Sequence, residues 1–306
     1  MRRRLRSRDG KAAASMSIAA EKQLGDQISH GISITKYGHA LPLQRIEVIE
    51  SGHPVPDLQS MLAANLVTKH VSDLQSNDIV IFLLSGGASS LMSDLPDGCT
   101  LREIQQTNSA LVKSGANISE INIVRKHLSH IKGGQLARMA QPAKVFTLLI
   151  SDVPGDDLSS IASGPTTADP STFKDALNII KKHKITDQVP IAIREYLQQG
   201  ANGMKPETPK PGDPVFRNTF NRIIGNNHSA LIAAKAQAMQ LGYNTDIAKE
   251  QITGPAESTA REIVRKLMDC NSPLPHCFLW GGETTITVTG EGCGGQKPAL
   301  CIMCTG

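Results

Sequence analysis

Residues 79–90 read IVIFLLSGGASS, and this stretch decides the fold class. The six apolar residues 79–84 have the length of a strand and are too few for a helix. Their unbroken apolarity predicts a strand covered on both faces, as in a parallel sheet between layers of helices. The serines and glycines that follow predict a tight turn into a helix.

The rest of the chain repeats this alternation of strands and helices. Further short runs predict strands at 145–150, 222–224, 277–280 and 283–289. Apolar residues at helical spacing predict helices over 13–24, 121–131 and about 228–241, the last two closed by Gly133-Gly134 and by Gly242. We therefore expect an α/β fold with a doubly wound, Rossmann-like parallel sheet.

Composition excludes several classes of protein. The 306 residues are 40% apolar and 20% charged, which is enough to bury a core, so disorder and a disulfide-stapled miniprotein are excluded. The net charge of +4 arises within the first nine residues, where five arginines outweigh Asp9, and the remaining chain is neutral. Without a basic face or many aromatic residues, we expect no nucleic-acid partner.

Neither a membrane span nor a secretory signal is visible. No run of about 18 apolar residues occurs, and no apolar segment follows the arginine-rich start. The six cysteines are sparse and lack the paired spacing of a zinc site. We therefore expect a cytoplasmic protein with reduced thiols and no membrane contact.

Small and polar residues follow each predicted strand, where parallel sheets bind their ligands. After the first strand, backbone amides of a glycine-rich loop would approach a phosphate or carboxylate, although a tight turn explains the glycines equally well. The loop residues are Ser85, Gly86, Gly87, Ala88 and Ser89. Asn226 and Glu283 follow the third and fourth strands.

An acidic cluster follows the second strand. Asp152 and Asp156, with Asp157 beside them, have the chemistry to hold Mg²⁺ through one or two carboxylates, water and substrate phosphate. The alternative is that these residues stabilise turns and helix starts, where aspartate is common.

Two groups of cations add to this picture. Arg125, Ser129 and Lys132 would share one face of the predicted second helix, as an anion site or as an ordinary solvated face. Lys11 opens the first helix, where a cation is unfavourable unless an anion docks there. A frayed terminus is the alternative for Lys11.

The sequence does not satisfy either of two common nucleotide-binding motifs. A Walker loop is excluded because Leu5 and Ala12 stand where it needs glycine and Ser or Thr. The glycines Gly290, Gly292 and Gly295 match the dinucleotide fingerprint, but no room follows for its helix and strand, so we interpret the match as accidental.

Taken together, these segments resemble the glycerate 2-kinase family, also called hydroxypyruvate reductases of the tartrate-degradation type. The resemblance covers about nine-tenths of the chain. It is carried by GKAA at 10–13, GHPVPD at 52–57, LSGGAS at 84–89, INIVRKHLSHIKGG at 121–134, LISDVPGD at 149–156, IASGPT at 161–166 and GGET at 281–284. The prolines of GHPVPD by themselves favour a structural turn over a ligand contact.

The resemblance implies ATP-dependent, Mg²⁺-assisted phosphorylation of D-glycerate to 2-phosphoglycerate. It also implies that Lys11 stabilises the transferring phosphoryl group and that the loop 85–89 cradles an anion. Residues 1–272 would form the Rossmann-like domain without its first strand, and 273–306 the truncated start of a smaller carboxyl-terminal domain. An exposed sheet edge left by a missing strand favours association, so a homo-oligomer is an open expectation.

One departure from the family keeps alternatives open. Gln296 stands where the family has an arginine, and an amide cannot neutralise phosphoryl charge as a guanidinium does. A non-catalytic fragment that retains anion binding is therefore one alternative. Reduction of hydroxypyruvate with NAD(P)H is the other.

Overall fold

The computed structural model describes residues 8–9, 12–269 and 272–284, and the chain divides into two compact units. The first unit ends at Ile224 and the second begins at Gly225. The domain boundary expected at 272/273 falls inside the second unit. The assignment of 273–306 to a further domain stays a prediction.

The first unit alternates strands and helices along most of its length. Its strands are β1 (Arg8–Asp9), β2 (Ile32–Lys36), β3 (Glu47–Ser51), β4 (Ile79–Leu84), β5 (Lys144–Ile150) and β6 (Thr219–Gly225), the last of which reaches the boundary. Its α-helices are α1 (Ala13–Leu24), α2 (Leu58–Ser72), α3 (Ala88–Leu91), α4 (Leu101–Lys113), α5 (Ile118–Lys126), α6 (Gln135–Met139), α7 (Phe173–Lys182) and α8 (Ile191–Ala201).

The six strands form one sheet in the order β3-β2-β1-β4-β5-β6. Strand β1 pairs in parallel with β2 and β4, β2 pairs in parallel with β3, and β4 with β5. This is the strand order of a doubly wound Rossmann sheet, whose ligand edge lies where the order reverses, between β1 and β4. The predicted fold class is confirmed.

The expectation that the first strand is missing is wrong. Arg8 and Asp9 form β1 at the centre of the sheet, with Asp9 in register with Ile34 on one side and Leu84 on the other. Backbone groups alone make these pairings, so an arginine-rich segment without an apolar run can still supply a strand. The argument for a homo-oligomer from an unpaired sheet edge loses its basis.

The predicted helix over 121–131 ends early, because α5 stops at Lys126. Beyond it, the hydroxyl of Ser129 accepts hydrogen bonds from the amides of Ile131 and Lys132, at 3.2 and 3.1 Å. The carboxylate of Asp94 accepts from the amide of His130. These side chains take over the amides that a helix would use, so the chain turns. Arg125, Ser129 and Lys132 therefore do not share a helix face, contrary to the prediction.

Two apolar clusters hold the first unit together. One packs the sheet against α2 and α6, with Ile34, Phe82 and Leu136 fully buried. The other lies among α4, α5, α7 and α8 and includes Leu111, Val124, Phe173, Ile180 and Leu197. The predicted strand 79–84 coincides with β4 and the predicted helix 13–24 with α1.

The second unit contains α9 (Asn227–Gln240), β7 (Asn244–Ile247), α10 (Ala256–Met268) and β8 (His276–Leu279). Strands β7 and β8 pair in parallel. The predicted helix near 228–241 and the predicted strand near 277–280 are confirmed. Glu283 and Thr284 lie outside any strand, and the rest of the predicted strand 283–289 falls outside the described residues.

Across 8–9, 12–269 and 272–284, no helix is long and apolar enough to cross a membrane.

Glu207 ties the loop after α8 to α5 and α7. Its carboxylate accepts from the amide of Phe173 at 3.0 Å, lies 3.2 Å from Nε2 of His127, and accepts from Lys210 at 3.2 Å. Burial by itself would raise the pKa of Glu207, but the hydrogen bonds from His127 and Phe173, with the nearby charges, lower that pKa to about 2. The ionised carboxylate is therefore the form that the fold stabilises.

This arrangement predicts a pH-dependent stability. A carboxyl whose pKa is lowered on folding stabilises the protein above its ordinary pKa of 4.5, and the contribution is lost as pH falls towards 2. We expect Glu207→Gln to reduce the free energy of unfolding at pH 7 by about 1 kcal/mol or more, with a smaller difference at pH 3. Urea denaturation at pH 7, 5 and 3 measures this. Glu195→Gln, at an exposed position on α8, is the matched control, and an equal loss at pH 7 and pH 3 would contradict the account.

Candidate functional site

The glycine-rich loop after β4 lies beside the start of α1. The amide of Ala12 donates to Oγ of Ser85 at 3.1 Å, and Ser85 is buried. Gly87 has φ of +91°, a left-handed conformation that turns the chain into α3 and favours glycine. The sequence-predicted loop and the predicted helix start are therefore neighbours. Lys11, the preceding residue in the sequence, lies outside the described residues, and its role stays a prediction.

Asp152 lies directly against this loop. A Cβ added to Gly86 would be 1.8 Å from Oδ2 of Asp152, so the carboxylate occupies the space that a side chain at 86 would need. The approach follows from the topology, because β4 and β5 are paired neighbours with Leu84 in register with Leu149. Their carboxyl ends meet at one edge, as predicted for Ser85 and Asp152.

The acidic cluster divides into different structural roles. Asp152 is exposed, and its carboxylate makes no hydrogen bond or ion pair with any residue in the described ranges. Asp156 has φ of +56°, and its amide donates to the carbonyl of Val153 at 3.1 Å. Asp157 accepts hydrogen bonds from the hydroxyls of Ser159 and Ser160. Burial would raise the pKa of Asp157, but those hydrogen bonds lower it below its ordinary value.

These residues can hold Mg²⁺ only through one or two carboxylates, with other ligands completing its shell. No group of three or more His, Cys, Asp or Glu residues that could hold a metal ion occurs in the described part of the chain. Mg²⁺ in phosphoryl-transfer sites uses one or two carboxylates, with water and phosphate completing its shell. Asp152 meets that requirement, because its carboxylate is exposed at the ligand edge of the sheet.

A pocket with two cations lies on the other side of the glycine-rich loop. It is a small pocket that opens to solvent. The lining residues are Pro54, Pro56, Ser89, Ser90, Ser93, Asp94, Ile104, Asn108, Arg125, Leu128 and Lys132. The turn at 127–134 therefore brings Lys132 to the same pocket as Arg125, although they do not share a helix. Pro54 and Pro56 are among the lining residues, so the turn they form is also part of a pocket wall.

The guanidinium of Arg125 has no acidic partner among the residues that the structure describes. Its Nε donates to Oδ1 of Asn108 at 2.9 Å, and its terminal nitrogens have no partner within the described ranges. Burial lowers the pKa of Arg125, because a poorly solvated cation is disfavoured. The remaining donors are in the fork geometry that binds a carboxylate or phosphate.

Lys132 is better compensated. Its Nζ donates to the carbonyl of Met92 at 3.3 Å and lies 3.9 Å from Oδ1 of Asp94. Asp94 is itself occupied, because it accepts from the hydroxyl of Ser129 at 2.5 Å and from the amide of His130. The pocket thus holds two cations and one engaged carboxylate, which favours a small anion.

Asn226 and Glu283, also predicted as ligands, belong to the second unit. The side chain of Asn226 caps α9 by accepting from the amide of Ser229 at 2.9 Å. The amide of Glu283 donates to the carbonyl of Ile252 at 3.0 Å. The cap is a structural use of Asn226, and the ligand roles of both residues stay predictions.

Sequence reasoning missed three polar residues beside the pocket: Asp94, Asn122 and Ser163. Asn122 and Ser163 are buried, and each lies within a segment that carries the family resemblance. A buried polar residue flanked by glycine, as in IASGPT, is the signal that could have found Ser163. No local pattern indicated Asp94.

The strand order, the glycine-rich loop and the pocket lined by Arg125 and Lys132 define a Rossmann-type α/β protein with a cationic pocket beside its glycine-rich loop. A family described as a domain of unknown function, DUF4147, matches residues 9–198. A glycerate 2-kinase of Pyrococcus horikoshii is 39% identical over 97% of this chain and 67% of its own length. A putative hydroxypyruvate reductase of Agrobacterium vitis is 44% identical over 96% of this chain and 66% of its own.

A solved structure agrees with these relatives. The crystal structure of a glycerate kinase from Thermotoga maritima superposes with a TM-score of 0.80 and 41% identity, over 96% of this chain and 69% of that protein. The chain belongs to the glycerate kinase family, which confirms the resemblance seen in the sequence. It spans about two thirds of the length of these relatives.

Because the terminal nitrogens of Arg125 have no partner within the described ranges, we expect binding of a small carboxylate to stabilise the protein. A ligand that binds only the folded state raises its stability by mass action, by roughly 2.7 kcal/mol at a hundredfold excess over Kd. We expect D-glycerate to raise the melting temperature of the chain and to leave that of Arg125→Gln nearly unchanged. Differential scanning fluorimetry at constant ionic strength measures the shift. Arg102→Gln, at an exposed position on α4, is the control that should respond like the parent chain, and a full response of Arg125→Gln would exclude this anchor.

Proposed function

We propose that the chain carries the acceptor and phosphate-binding machinery of a D-glycerate 2-kinase. One observation carries the proposal: the start of α1, the loop 85–89 and the carboxylate of Asp152 meet at the ligand edge of the sheet, beside a pocket with two cations. Phosphoryl transfer depends on positioning and charge stabilisation, and this edge offers both. We infer that the substrate is D-glycerate from the membership of the chain in the glycerate kinase family.

The acid end of glycerate fits the cationic pocket. Arg125 would bind the carboxylate through the two terminal nitrogens that are free of partners in the described ranges, and Lys132 would add a second positive charge. This leaves the hydroxyl groups of the substrate directed towards the serines of the loop. A three-carbon acid suits a pocket lined by short polar side chains and two prolines.

The phosphate end would lie at the loop and the start of α1. Helix N-termini and glycine loops bind phosphate through backbone amides. The hydrogen bond from Ala12 to Ser85 holds the start of α1 next to the loop 85–89. Lys11 is the residue proposed to stabilise the charge of the transferring group. Mg²⁺, proposed to bind at Asp152 with a contribution from Asp156, would neutralise the phosphate oxygens of ATP.

The chemistry then needs few further groups. The 2-hydroxyl oxygen of glycerate forms a bond to the γ-phosphorus of ATP, and the bond from that phosphorus to the β,γ-bridging oxygen breaks. ADP carries the leaving electron pair, and the hydroxyl proton is released to solvent. The products are 2-phosphoglycerate, ADP and a proton. Since ATP is the co-substrate, we propose the cytosol as the working compartment.

Hydroxypyruvate reduction is the second candidate, because a 44% identical relative is named as a putative reductase. A nicotinamide cofactor would need a glycine fingerprint after the first strand, but the residues after β1 read GKAA. The first candidate therefore agrees better with the sequence at the ligand edge. Binding without turnover, the third possibility, is motivated by Gln296, which lies outside the described residues.

A direct assay separates these candidates. The purified 306-residue chain, given ATP, Mg²⁺ and D-glycerate, should form 2-phosphoglycerate, which ³¹P NMR distinguishes from the 3-phosphate. Oxidation of NADH on addition of hydroxypyruvate would favour the reductase instead. Glycerate binding without either product would support the non-catalytic alternative, with Gln296→Arg as the first variant to restore turnover.

The contact between Gly86 and Asp152 predicts how two variants combine. Alanine at 86 would push the exposed carboxylate of Asp152 into solvent, so stability should change by less than about 1 kcal/mol while turnover falls as far as in Asp152→Ala. The double variant should be no slower than either single one, because both remove the same group from the same place. Steady-state kinetics over a range of Mg²⁺ concentrations tests this. Additive losses in the double variant would show that Gly86 acts independently of Asp152.

A further inference from the structure

Residues 162–164 form a left-handed turn beside the pocket. Ala162, Ser163 and Gly164 have φ values of 54°, 59° and 59°. Two consecutive non-glycine residues in this region are uncommon and are held by their surroundings. Here the amides of Gly133 and Gly134 donate to the carbonyls of Ser163 and Gly164, at 3.0 and 2.8 Å. The turn is thereby fixed to the segment that carries Lys132.

The turn places the hydroxyl of Ser163 in a chain of three polar groups. Ser163 is 1% exposed, and its Oγ donates to Oδ1 of Asn122 at 3.1 Å. The same Oγ lies 2.9 Å from Oγ of Ser89. Asn122 is itself buried and lies on α5, one helical turn before Arg125.

The hydrogen bonds from Ser89 through Ser163 to Asn122 have a defined donor-to-acceptor direction. The amide oxygen of Asn122 can only accept, so the single proton of Ser163 points to it. The oxygen of Ser163 must then accept the proton of Ser89. Ser89 consequently commits its proton to Ser163, which does not line the pocket, and its oxygen lone pairs stay available to the pocket.

We propose that Ser89 accepts a hydrogen bond from a hydroxyl of the substrate, and that Ser163 and Asn122 are positioning residues that set this polarity. The proposal rests on the proposed function, because it takes a hydroxy acid to be the occupant of the pocket. Arg125 and Lys132 offer donors for a carboxylate and cannot accept. An acceptor beside them lets the pocket select acids that carry a hydroxyl over acids that lack one.

Two other acceptors in the pocket are engaged. Asn108 uses its Oδ1 on Arg125, and Asp94 accepts from Ser129 and His130. Ser90 donates to the carbonyl of Gly87 within its own turn, at 3.1 Å. Ser89 differs from Ser90 because its orientation is imposed from outside the loop by two buried residues.

The test compares the binding of D-glycerate and propanoate, which lacks both hydroxyls, to the 306-residue chain by isothermal titration calorimetry. The parent chain should prefer D-glycerate by roughly five- to tenfold, the effect of one neutral hydrogen bond. Ser163→Gly removes the hydroxyl at a residue whose φ suits glycine, and Ser163→Ala removes it without changing the backbone preference. Both should lose most of the preference while their affinity for propanoate stays unchanged.

Conservative variants separate positioning from a purely structural effect. Asn122→Asp keeps an acceptor for Ser163 and should retain the preference, whereas Asn122→Leu should lose it. Thermal denaturation confirms that each variant is folded. An equal loss of affinity for both acids in the Ser163 variants, or an unchanged preference, would overturn the proposal.

The same titration distinguishes failure of the proposed function. If the parent chain binds neither acid, the assignment of the pocket to a small acid fails, and the role of Ser89 fails with it. If the parent chain binds both acids equally, the acid pocket stands and the role of Ser89 alone is wrong.

Discussion

The close approach of the Asp152 carboxylate to the backbone of Gly86 is the constraint on which the site depends. It requires a residue without a side chain just after β4 and an acid just after β5, two paired strands that end at the same edge of the sheet. The turn at Gly87 then directs the chain into α3, and Ser85 is left to bind the start of α1. The ends of two neighbouring strands thus bring three separate segments together at one edge of the sheet.

The pocket depends on a different kind of constraint. Asp94 holds the turn after α5 by binding Ser129 and His130, and this turn brings Lys132 back towards Arg125. A regular helix would have continued past the pocket instead. Side chains that compete with a helix for its amides therefore build the cationic wall, and the apolar residues of α5 determine only where the helix packs.

The sequence predicted those features that have a local or topological signature. An unbroken apolar run located β4 to the residue, and the rule that parallel strands bind ligands at their carboxyl ends brought Ser85 and Asp152 together. Strand β1 was missed because backbone groups make its pairings and no apolar run marks it in the sequence. The early end of α5 was not predicted because it depends on hydrogen bonds to Asp94, which is distant in sequence. The hydrogen bonds among Asn122, Ser163 and Ser89 join three segments, so no single stretch of sequence could reveal which groups donate and which accept.

The central position of β1 also has a consequence for dynamics. Strand β1 pairs with β2 on one side and with β4 on the other, so it joins the two halves of the sheet. The bond from the amide of Ala12 to Ser85 links the residues that follow β1 and β4 at the ligand edge. A substitution that weakens the pairing of β1 should therefore increase amide exchange at the ligand edge as well as in the sheet.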